Sequence, residues 1–212
     1  MLLRIRLLTL FVLLITLLLN LFAGISESHA KECVKSESAS EGPFYIDSEN
    51  RKIIYKNGEG APIIFKIRVV DESCKPIKGA VVSVWHASSK GEYSKAGGTG
   101  AMDYRGYRVG GSKGEVEFKS LFPGWYPGRA AHIHVKVNKD GVNLLNTQLY
   151  FKQSLVNSVY KKKPYLERGL EDTPRSRDGL FLLLKNKDKH IFSSRISDGV
   201  IVSSADIVVS RK

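Results

Sequence analysis

Residues 129–137 of the chain have the sequence Arg-Ala-Ala-His-Ile-His-Val-Lys-Val, and this stretch decides the fold class. From His132 onward apolar β-branched residues alternate with polar ones, which is the period of a β-strand. Successive side chains of a strand point to opposite faces, so His132 and His134 share one face and Ile133 lies on the other. Two imidazoles placed in this way can reach one metal ion, although such a pair also occurs as two histidines that line or cap a surface.

Short apolar stretches of the same kind recur along the chain, separated by turn residues such as Gly110-Gly111 and Asp140-Gly141. They predict an all-β fold, an antiparallel β-sandwich of two sheets with long loops. One short helix is expected at 153–160 and a long loop at 161–177. The length and the absence of internal repeats favour one domain, residues 31–212. The predicted strands are 63–70, 80–85, 114–118, 132–137, 146–151, 180–184, 200–202 and 206–209.

The first 30 residues differ from the rest of the chain. Arg4 and Arg6 precede an almost continuous apolar run over residues 7–25, and Ser28-His29-Ala30 places small residues where a signal peptidase cleaves. We therefore predict a signal peptide, residues 1–30, with cleavage after Ala30 and a secreted or periplasmic protein. An uncleaved signal anchor is the alternative, because the run approaches the ~18 residues that suffice to cross a membrane.

The chain is strongly basic, with 33 Lys and Arg against 21 Asp and Glu and a formal charge of +12. Removal of residues 1–30 takes away two arginines and one glutamate, which lowers this charge to +11. The basic residues are scattered, and their one run, 161–163, has no interleaved aromatic residues for stacking on bases. A solvated basic surface is therefore expected, and no nucleic-acid partner.

The two cysteines, Cys33 and Cys74, both follow the predicted signal peptide. In an exported protein this count suggests one disulfide, which would hold the mature N-terminus against the early sheet. Loop closure alone would make it worth about 4 kcal/mol. A lipid anchor on Cys33 is the rival interpretation, but the preceding Lys31-Glu32 is too polar for a lipoprotein signal.

Five spaced motifs between residues 41 and 151 resemble, in order, the intradiol ring-cleavage dioxygenases, the family of protocatechuate 3,4-dioxygenase and catechol 1,2-dioxygenase. Their joint occurrence is far more specific than any one of them. A further segment, Glu41-Gly42-Pro43-Phe44-Tyr45, looks like the family's entry into the catalytic sandwich. The five motifs are Trp85-His86-Ala87, Gly91-Glu92-Tyr93-Ser94, Pro123-Gly124-Trp125-Tyr126-Pro127-Gly128-Arg129, His132-Ile133-His134 and Thr147-Gln148-Leu149-Tyr150-Phe151.

The resemblance implies a mononuclear non-haem Fe(III) site with Tyr93 and Tyr126 as phenolate ligands and His132 and His134 as imidazole ligands. A phenol has a pKa of about 10, but coordination to a trivalent cation removes its proton. The implied substrates are a catechol-type molecule and O2, and the implied product is a cis,cis-muconate-type diacid. In the family, the tyrosinate that matches Tyr126 is displaced by the substrate and accepts one of its protons.

Other positions carry over as supporting groups. Arg129 matches an arginine three residues before the first histidine, whose charge would stabilise developing anions. Gln148 matches a glutamine that would orient ligands or the oxygen intermediate. Pro43 and Phe44 match pocket-lining positions. Taken without the resemblance, Tyr93 and Tyr126 would be core aromatics, Arg129 a loop residue and Gln148 a solvent-facing strand residue.

Two departures from the family leave the substrate and the oligomeric state open. Only five residues separate Tyr126 from His132, and no helical dimerisation region of the catechol 1,2-dioxygenase kind is predicted. Two further hypotheses compete: a non-catalytic transthyretin-like or carbohydrate-binding sandwich, and a zinc or copper protein that uses the two histidines with water. We expect His86 to be structural, and His190, in a charged turn, to be solvated.

Overall fold

The computed structural model describes residues 33–56, 59–94 and 102–210. The predicted signal peptide, residues 1–30, lies outside this range. Within it, no helix has both the length and the apolar composition needed to cross a bilayer.

Two four-stranded sheets pack face to face in the described part of the chain, which confirms the all-β sandwich. The first sheet has the strand order β4-β1-β8-β7 and the second has the order β3-β2-β5-β6. The strands are β1 (Pro62–Val70), β2 (Val81–Trp85), β3 (Arg105–Val109), β4 (Glu115–Leu121), β5 (His132–Lys139), β6 (Val142–Tyr150), β7 (Ser193–Ser197) and β8 (Val200–Val208).

The core lies between the sheets and is built by the alternation that the sequence shows. In β5, Ile133, Val135 and Val137 are fully buried in the main hydrophobic cluster. His132 and His134 therefore project from the other face of the second sheet, away from the core. Both histidines are nevertheless buried, because segments outside the sheet cover that face.

One covering segment is the stretch that begins at Cys33. It runs along the second sheet, where Ala39 N–H donates to the carbonyl of Asn146 at 2.9 Å. The disulfide between Cys33 and Cys74 ties the start of this segment to the residues that follow β1, as the cysteine count predicts.

The sandwich is not wholly antiparallel, since β8 pairs with β1 in parallel while β4 and β7 pair antiparallel to their neighbours. Alternation of side chains sets which face is buried, but it carries no information about strand direction. The chain leaves β6, crosses over a long connection to the edge strand β7 and turns back into β8, which lies parallel to β1.

Two α-helices lie in the described residues, α1 (Gln153–Tyr160) and α2 (Gly179–Leu182). The first coincides with the predicted helix. The second lies where a strand was predicted at 180–184, so that strand prediction is wrong. Asp178 accepts the N–H groups of Leu180 and Phe181 and so starts a helix, whereas an apolar run this short cannot be assigned from periodicity. The described ranges also contain three short 3-10 helices, Tyr165–Arg168, Arg175–Arg177 and Lys187–His190.

Other element predictions differ in detail. The ranges 200–202 and 206–209 form one strand, β8, rather than two. Strands β3 and β7 were not predicted, because Arg-Gly-Tyr-Arg-Val and Ser-Ser-Arg-Ile-Ser have few apolar residues and no clear alternation. His190 is not solvated but 1 % exposed, since its ring bonds to Thr147 and to the carbonyl of Gln148.

Candidate metal centre

The four predicted ligand residues converge on one point of the second sheet. The Oη atoms of Tyr93 and Tyr126 each lie 3.4 Å from Nε2 of His132. Nε2 of His134 lies 3.1 Å from the same atom. Two phenol oxygens and two imidazole nitrogens therefore surround one small volume.

Strand pairing positions the two histidines in the middle of the second sheet. β5 is an inner strand, and His134 is opposite Trp85 of β2 on one side and Gln148 of β6 on the other. The indole of Trp85 is stacked on the His134 ring, with centroids 4.8 Å apart and planes inclined by 7°. Gly42 of the N-terminal segment also approaches that ring, since a Cβ on it would meet Cε1 at 3.4 Å. Trp85 and the N-terminal segment thus both restrict His134.

Two glycines bring the tyrosines together. A Cβ on Gly91 would overlap the carbonyl oxygen of Trp125, and its φ of +77° also favours glycine. A Cβ on Gly124 would overlap the carbonyl of Ser89 in the same way. The loop that carries Tyr93 can therefore touch the loop that carries Tyr126, and the two phenol rings meet edge to face at 5.7 Å.

The tautomer of His132 follows from its hydrogen bond. Its Nδ1 lies 2.6 Å from the carbonyl oxygen of Ala130, which can only accept, so Nδ1 carries the proton. Nε2 then presents a lone pair to the centre of the cluster, the form in which a histidine binds a metal. Nδ1 of His134 is buried and has no hydrogen-bond partner in the described structure.

Burial controls the protonation of the cluster. It lowers the pKa of His132 to about 3 and the pKa of His134 well below its ordinary value, with the charge of Arg129 adding to both effects. It also raises the pKa of Tyr93 well above 10, and it raises that of Tyr126 against the opposing charge of Arg129. The imidazoles are therefore neutral donors, and the phenols need a strongly charged cation to become phenolates.

The donor set fits a hard, highly charged metal ion. No group of three or more His, Cys, Asp or Glu side chains that could hold a metal occurs in residues 33–56, 59–94 and 102–210. A metal bound at this cluster thus requires the two tyrosine oxygens beside the two histidine nitrogens, and anionic oxygen ligands favour a hard ion in a high oxidation state.

Phe44 and Pro43 lie at the solvent-exposed edge of the cluster. The Phe44 ring is stacked on Tyr93 at a centroid distance of 4.4 Å, while 41 % of Phe44 remains exposed. Pro43 is exposed between Phe44 and Gly42. Both predicted pocket positions therefore border the tyrosine–histidine cluster.

Arg129 and Gln148 meet beside the cluster rather than on the histidines. Nη1 of Arg129 donates to Tyr126 Oη at 3.3 Å, and Nη2 makes a short hydrogen bond to Oε1 of Gln148. The amide of Gln148 donates in turn to the carbonyl of Ser40 at 2.9 Å. Gln148 thus joins Arg129 to the N-terminal segment.

Three residues of the site were not singled out from the sequence. Tyr150 donates to Gln148 and accepts from Arg129, and its position two residues after Gln148 on one strand face was an available signal. Asp178 binds Arg129 across 49 residues of chain, without a local signal. Arg105 is 2 % exposed and donates to the carbonyls of Ser94 and Phe44, both beside Tyr93.

The fold and the cluster define a class, an all-β sandwich with two tyrosines and two histidines gathered on the outer face of one sheet. Residues 40–159, more than half of the chain, match a protein family described as "Dioxygenase". The chain is 30% identical over 161 residues to chlorocatechol 1,2-dioxygenase of Pseudomonas putida, covering 64% of this chain and 62% of that protein. It is 29% identical over 196 residues to catechol 1,2-dioxygenase 1 of Acinetobacter lwoffii, covering 71% and 63%.

Solved structures agree with the sequence relatives. An intradiol ring-cleavage dioxygenase from Tetranychus urticae superimposes with a TM-score of 0.76 at 28% identity, covering 84% of this chain and 95% of that one. The dioxygenase domain of a dioxygenase–carbohydrate-binding fusion from Streptomyces sp. SirexAA-E gives 0.64 at 25%, covering 84% and 100%. The chain belongs to the intradiol ring-cleavage dioxygenase family. It spans a little under two thirds of the length of the two curated relatives.

Proposed function

We propose that the protein is an exported, Fe(III)-dependent intradiol dioxygenase that opens a catechol-type ring between its two hydroxyl-bearing carbons with O2 and yields a cis,cis-muconate-type diacid. The observation that carries this proposal is the convergence of Tyr93, Tyr126 and His134 on the lone-pair nitrogen of His132. The names of the relatives, catechol and chlorocatechol 1,2-dioxygenases, support the substrate class.

The proposed ligands have separate tasks. His132 and His134 would supply neutral nitrogen ligands, and Tyr93 and Tyr126 would supply two anionic oxygens that favour the ferric state. Held by these four residues, a ferric ion would supply the Lewis acidity and the electron transfer that prepare a bound catechol for reaction with O2. The convergence of these four groups favours an enzyme over the alternative of a non-catalytic sandwich.

Tyr126 is the better candidate for the ligand that leaves and takes a substrate proton. Tyr93 is held by the Phe44 ring stacked on it at 4.4 Å. Tyr126 instead has Nη1 of Arg129 within 3.3 Å of its oxygen. A fixed cation there stabilises the phenolate before it accepts the proton, and stabilises anionic oxygen on the substrate afterwards.

Export is proposed from the N-terminal sequence and the disulfide. The bond between Cys33 and Cys74 begins three residues after the predicted cleavage site, and disulfides persist in oxidising compartments. Mass spectrometry of the exported protein should give an N-terminus at Lys31. A protein that retains residues 1–30 in the membrane fraction would favour the signal-anchor alternative.

Iron, colour and oxygen uptake test the proposal together. The purified protein should contain one iron per chain, show the red tyrosinate-to-Fe(III) charge-transfer band and consume O2 with a catechol. Uptake compared across catechol, protocatechuate, hydroxyquinol and larger catechols would define the substrate. A colourless protein that takes up no iron on reconstitution would overturn the proposal.

Substitution of Tyr126 tests its assigned role. Tyr126→Phe removes the oxygen that would bind the metal and accept the proton, so we expect catechol turnover to fall by at least about 100-fold. Tyr107→Phe is the matched control. Tyr107 lies on β3, the edge strand of the second sheet, so this variant should retain normal turnover. Unchanged turnover in Tyr126→Phe would remove Tyr126 from the ligand set.

A further inference from the structure

Arg129 is held by a carboxylate from a distant part of the chain. Asp178, directly before α2, is fully buried, and its Oδ2 accepts Nε–H of Arg129 at 3.0 Å. The same oxygen accepts the backbone N–H of Ala130 at 2.9 Å. The arginine side chain is itself only 17% exposed, so the ion pair lies largely out of water. Charged partners in such a place hold a defined geometry.

The remaining N–H groups of Arg129 face the reactive side. Nη2 reaches Gln148 and, at 3.2 Å, Tyr150 Oη, while Nη1 reaches Tyr126 Oη. A guanidinium is planar and rigid, so a partner that fixes the Nε edge also fixes the direction of Nη1. The carboxylate of Asp178 thereby determines which N–H group faces the phenol of Tyr126.

Asp178 is itself immobilised. Its other oxygen, Oδ1, accepts N–H of Leu180 at 2.9 Å and of Phe181 at 3.0 Å, which caps α2. The Phe181 ring in turn packs edge to face on Tyr150, with centroids 4.9 Å apart. Four donors satisfy the carboxylate, so it cannot rotate without the loss of several hydrogen bonds.

A neighbouring carboxylate provides an internal comparison. Glu171 accepts the backbone N–H of Ala131 at 3.1 Å and the side-chain amide of Gln153 at 2.6 Å. The two acidic residues therefore support consecutive amides just before His132, from the same connection. Of these two, Asp178 is the one bonded to the guanidinium.

We infer that Asp178 is a positioning residue for ring cleavage, acting through Arg129: it aims Nη1 at Tyr126 Oη and at the anionic oxygen that develops on a bound catechol. This inference rests on the function proposed above. It gives Asp178, which lies beyond residues 40–159 of the family match, a direct part in the reaction.

The kinetic test uses the iron-loaded full chain and Asp178→Asn. Asparagine keeps the size and one cap-forming oxygen but removes the charge that holds Arg129. We expect kcat to fall about 10- to 100-fold, with KM changed less than about threefold and with iron content and the charge-transfer band retained. Glu171→Gln, the matched control, should lower the melting temperature but leave kcat within about twofold of wild type.

A double substitution separates positioning from general support of the fold. Arg129→Lys keeps the charge but loses the planar fork, so Asp178→Asn added to it should lower kcat less than about twofold further. A full and independent loss in that background would show that Asp178 does not act through Arg129, and would overturn the inference.

A metal-free measurement examines the same contact. In the apoprotein, the 15N-attached Nε–H proton of Arg129, identified by its absence in Arg129→Lys, should be protected from solvent exchange. Protection should persist in Glu171→Gln and be lost in Asp178→Asn. Equal protection in all three proteins would overturn the inference.

If Asp178→Asn does not fold, Asp178→Glu replaces it, and we expect partial recovery of the protected Nε–H signal of Arg129, with kcat between wild type and Arg129→Lys. Wild-type kcat in Asp178→Glu without that protected signal would overturn the inference. Wild-type protein without ring cleavage would overturn the proposed function itself. Active wild type with Asp178 variants that match Glu171→Gln would overturn the positioning role alone.

Discussion

The outer faces of the two sheets receive polar side chains by the same alternation, yet they differ in environment. On β1, Lys66 and Arg68 point into solvent, and Arg68 pairs with Asp206 at 2.5 Å with both side chains nearly half exposed. On β5, His132 and His134 are 3 % and 2 % exposed. The strand pattern is alike, so what differs is the cover supplied by other segments.

This difference shows how a sandwich acquires a site. A polar group in water is solvated and gains little from a partner, whereas a buried one must be paired and is held in one geometry. On the outer face of the second sheet, the polar groups are buried and paired because other segments cover them. These are the segment that begins at Cys33, the loops that bear Tyr93 and Tyr126, and the connection that contains Asp178. Substitutions on the two faces should therefore have unequal consequences.

The largest effect is expected at the covered face from the removal of a ligand. His132→Ala deletes the nitrogen on which the other three donors converge. Bound iron and the charge-transfer band should be lost, and kcat/KM should fall by at least about 1000-fold, or about 4 kcal/mol of transition-state stabilisation. Metal analysis and oxygen uptake measure this, and retained iron at normal stoichiometry would contradict the assignment.

Removal of the cation beside the cluster should be the next largest effect. Arg129→Ala takes away the donor to Tyr126 and leaves Asp178 buried without its partner. We expect kcat to fall about 100-fold and the free energy of unfolding to fall by about 3–5 kcal/mol. Steady-state kinetics and denaturant unfolding measure the two losses, and a variant as stable as wild type would show that the pair is not buried in solution.

Acid should destabilise the fold through His86, a buried residue directly after β2 whose ring contacts β4 of the first sheet. Burial lowers its pKa to about 4, and its ring bonds to Ser120 at 2.9 Å and to the carbonyl of Ala87 at 2.8 Å. Because the folded value lies below the unfolded one of about 6.5, the stabilisation is present above pH 6.5 and is lost as the pH falls through 4.

The loss from His86 amounts to roughly 3 kcal/mol between these limits. The free energy of unfolding, measured from pH 7 to pH 4 in wild type and in His86→Gln, isolates the contribution of His86. The carboxylates are common to both proteins, so their contributions cancel in the difference. Parallel pH profiles for the two proteins would show that His86 does not titrate in this window.

The smallest effect is expected on the exposed face. Asp206→Asn breaks the pair with Arg68, whose geometry is bidentate but exposed. An ion pair of this kind contributes at most about 1 kcal/mol, and kcat should not change. Equilibrium unfolding at low and high salt measures the contribution of this ion pair to the free energy of unfolding. A loss of stability as large as that in Arg129→Ala would contradict the contrast between the two faces.

Much of the site could be predicted because its key residues are close in sequence. Period-two alternation placed His132 and His134 on one face, and only five residues separate Tyr126 from His132. As ligands, Tyr93 and Tyr126 both required the family resemblance, since nothing local separates either from a core aromatic. His190 was predicted wrongly because the N-terminal segment, far away in the chain, buries it. The range 180–184 was predicted wrongly because so short an apolar run does not distinguish a strand from the helix that the adjacent Asp178 caps.

The sequence by itself determined the local features: the strand period, the faces of the histidines, the helix at 153–160 and the order of motifs that marks the family. These depend on neighbours within a few residues, where backbone geometry is regular. Only the tertiary structure decided that β8 lies parallel to β1, that one outer face is covered, and that Asp178 holds Arg129. Contacts between residues far apart in the chain depend on how whole segments pack, and a local pattern contains no record of that packing.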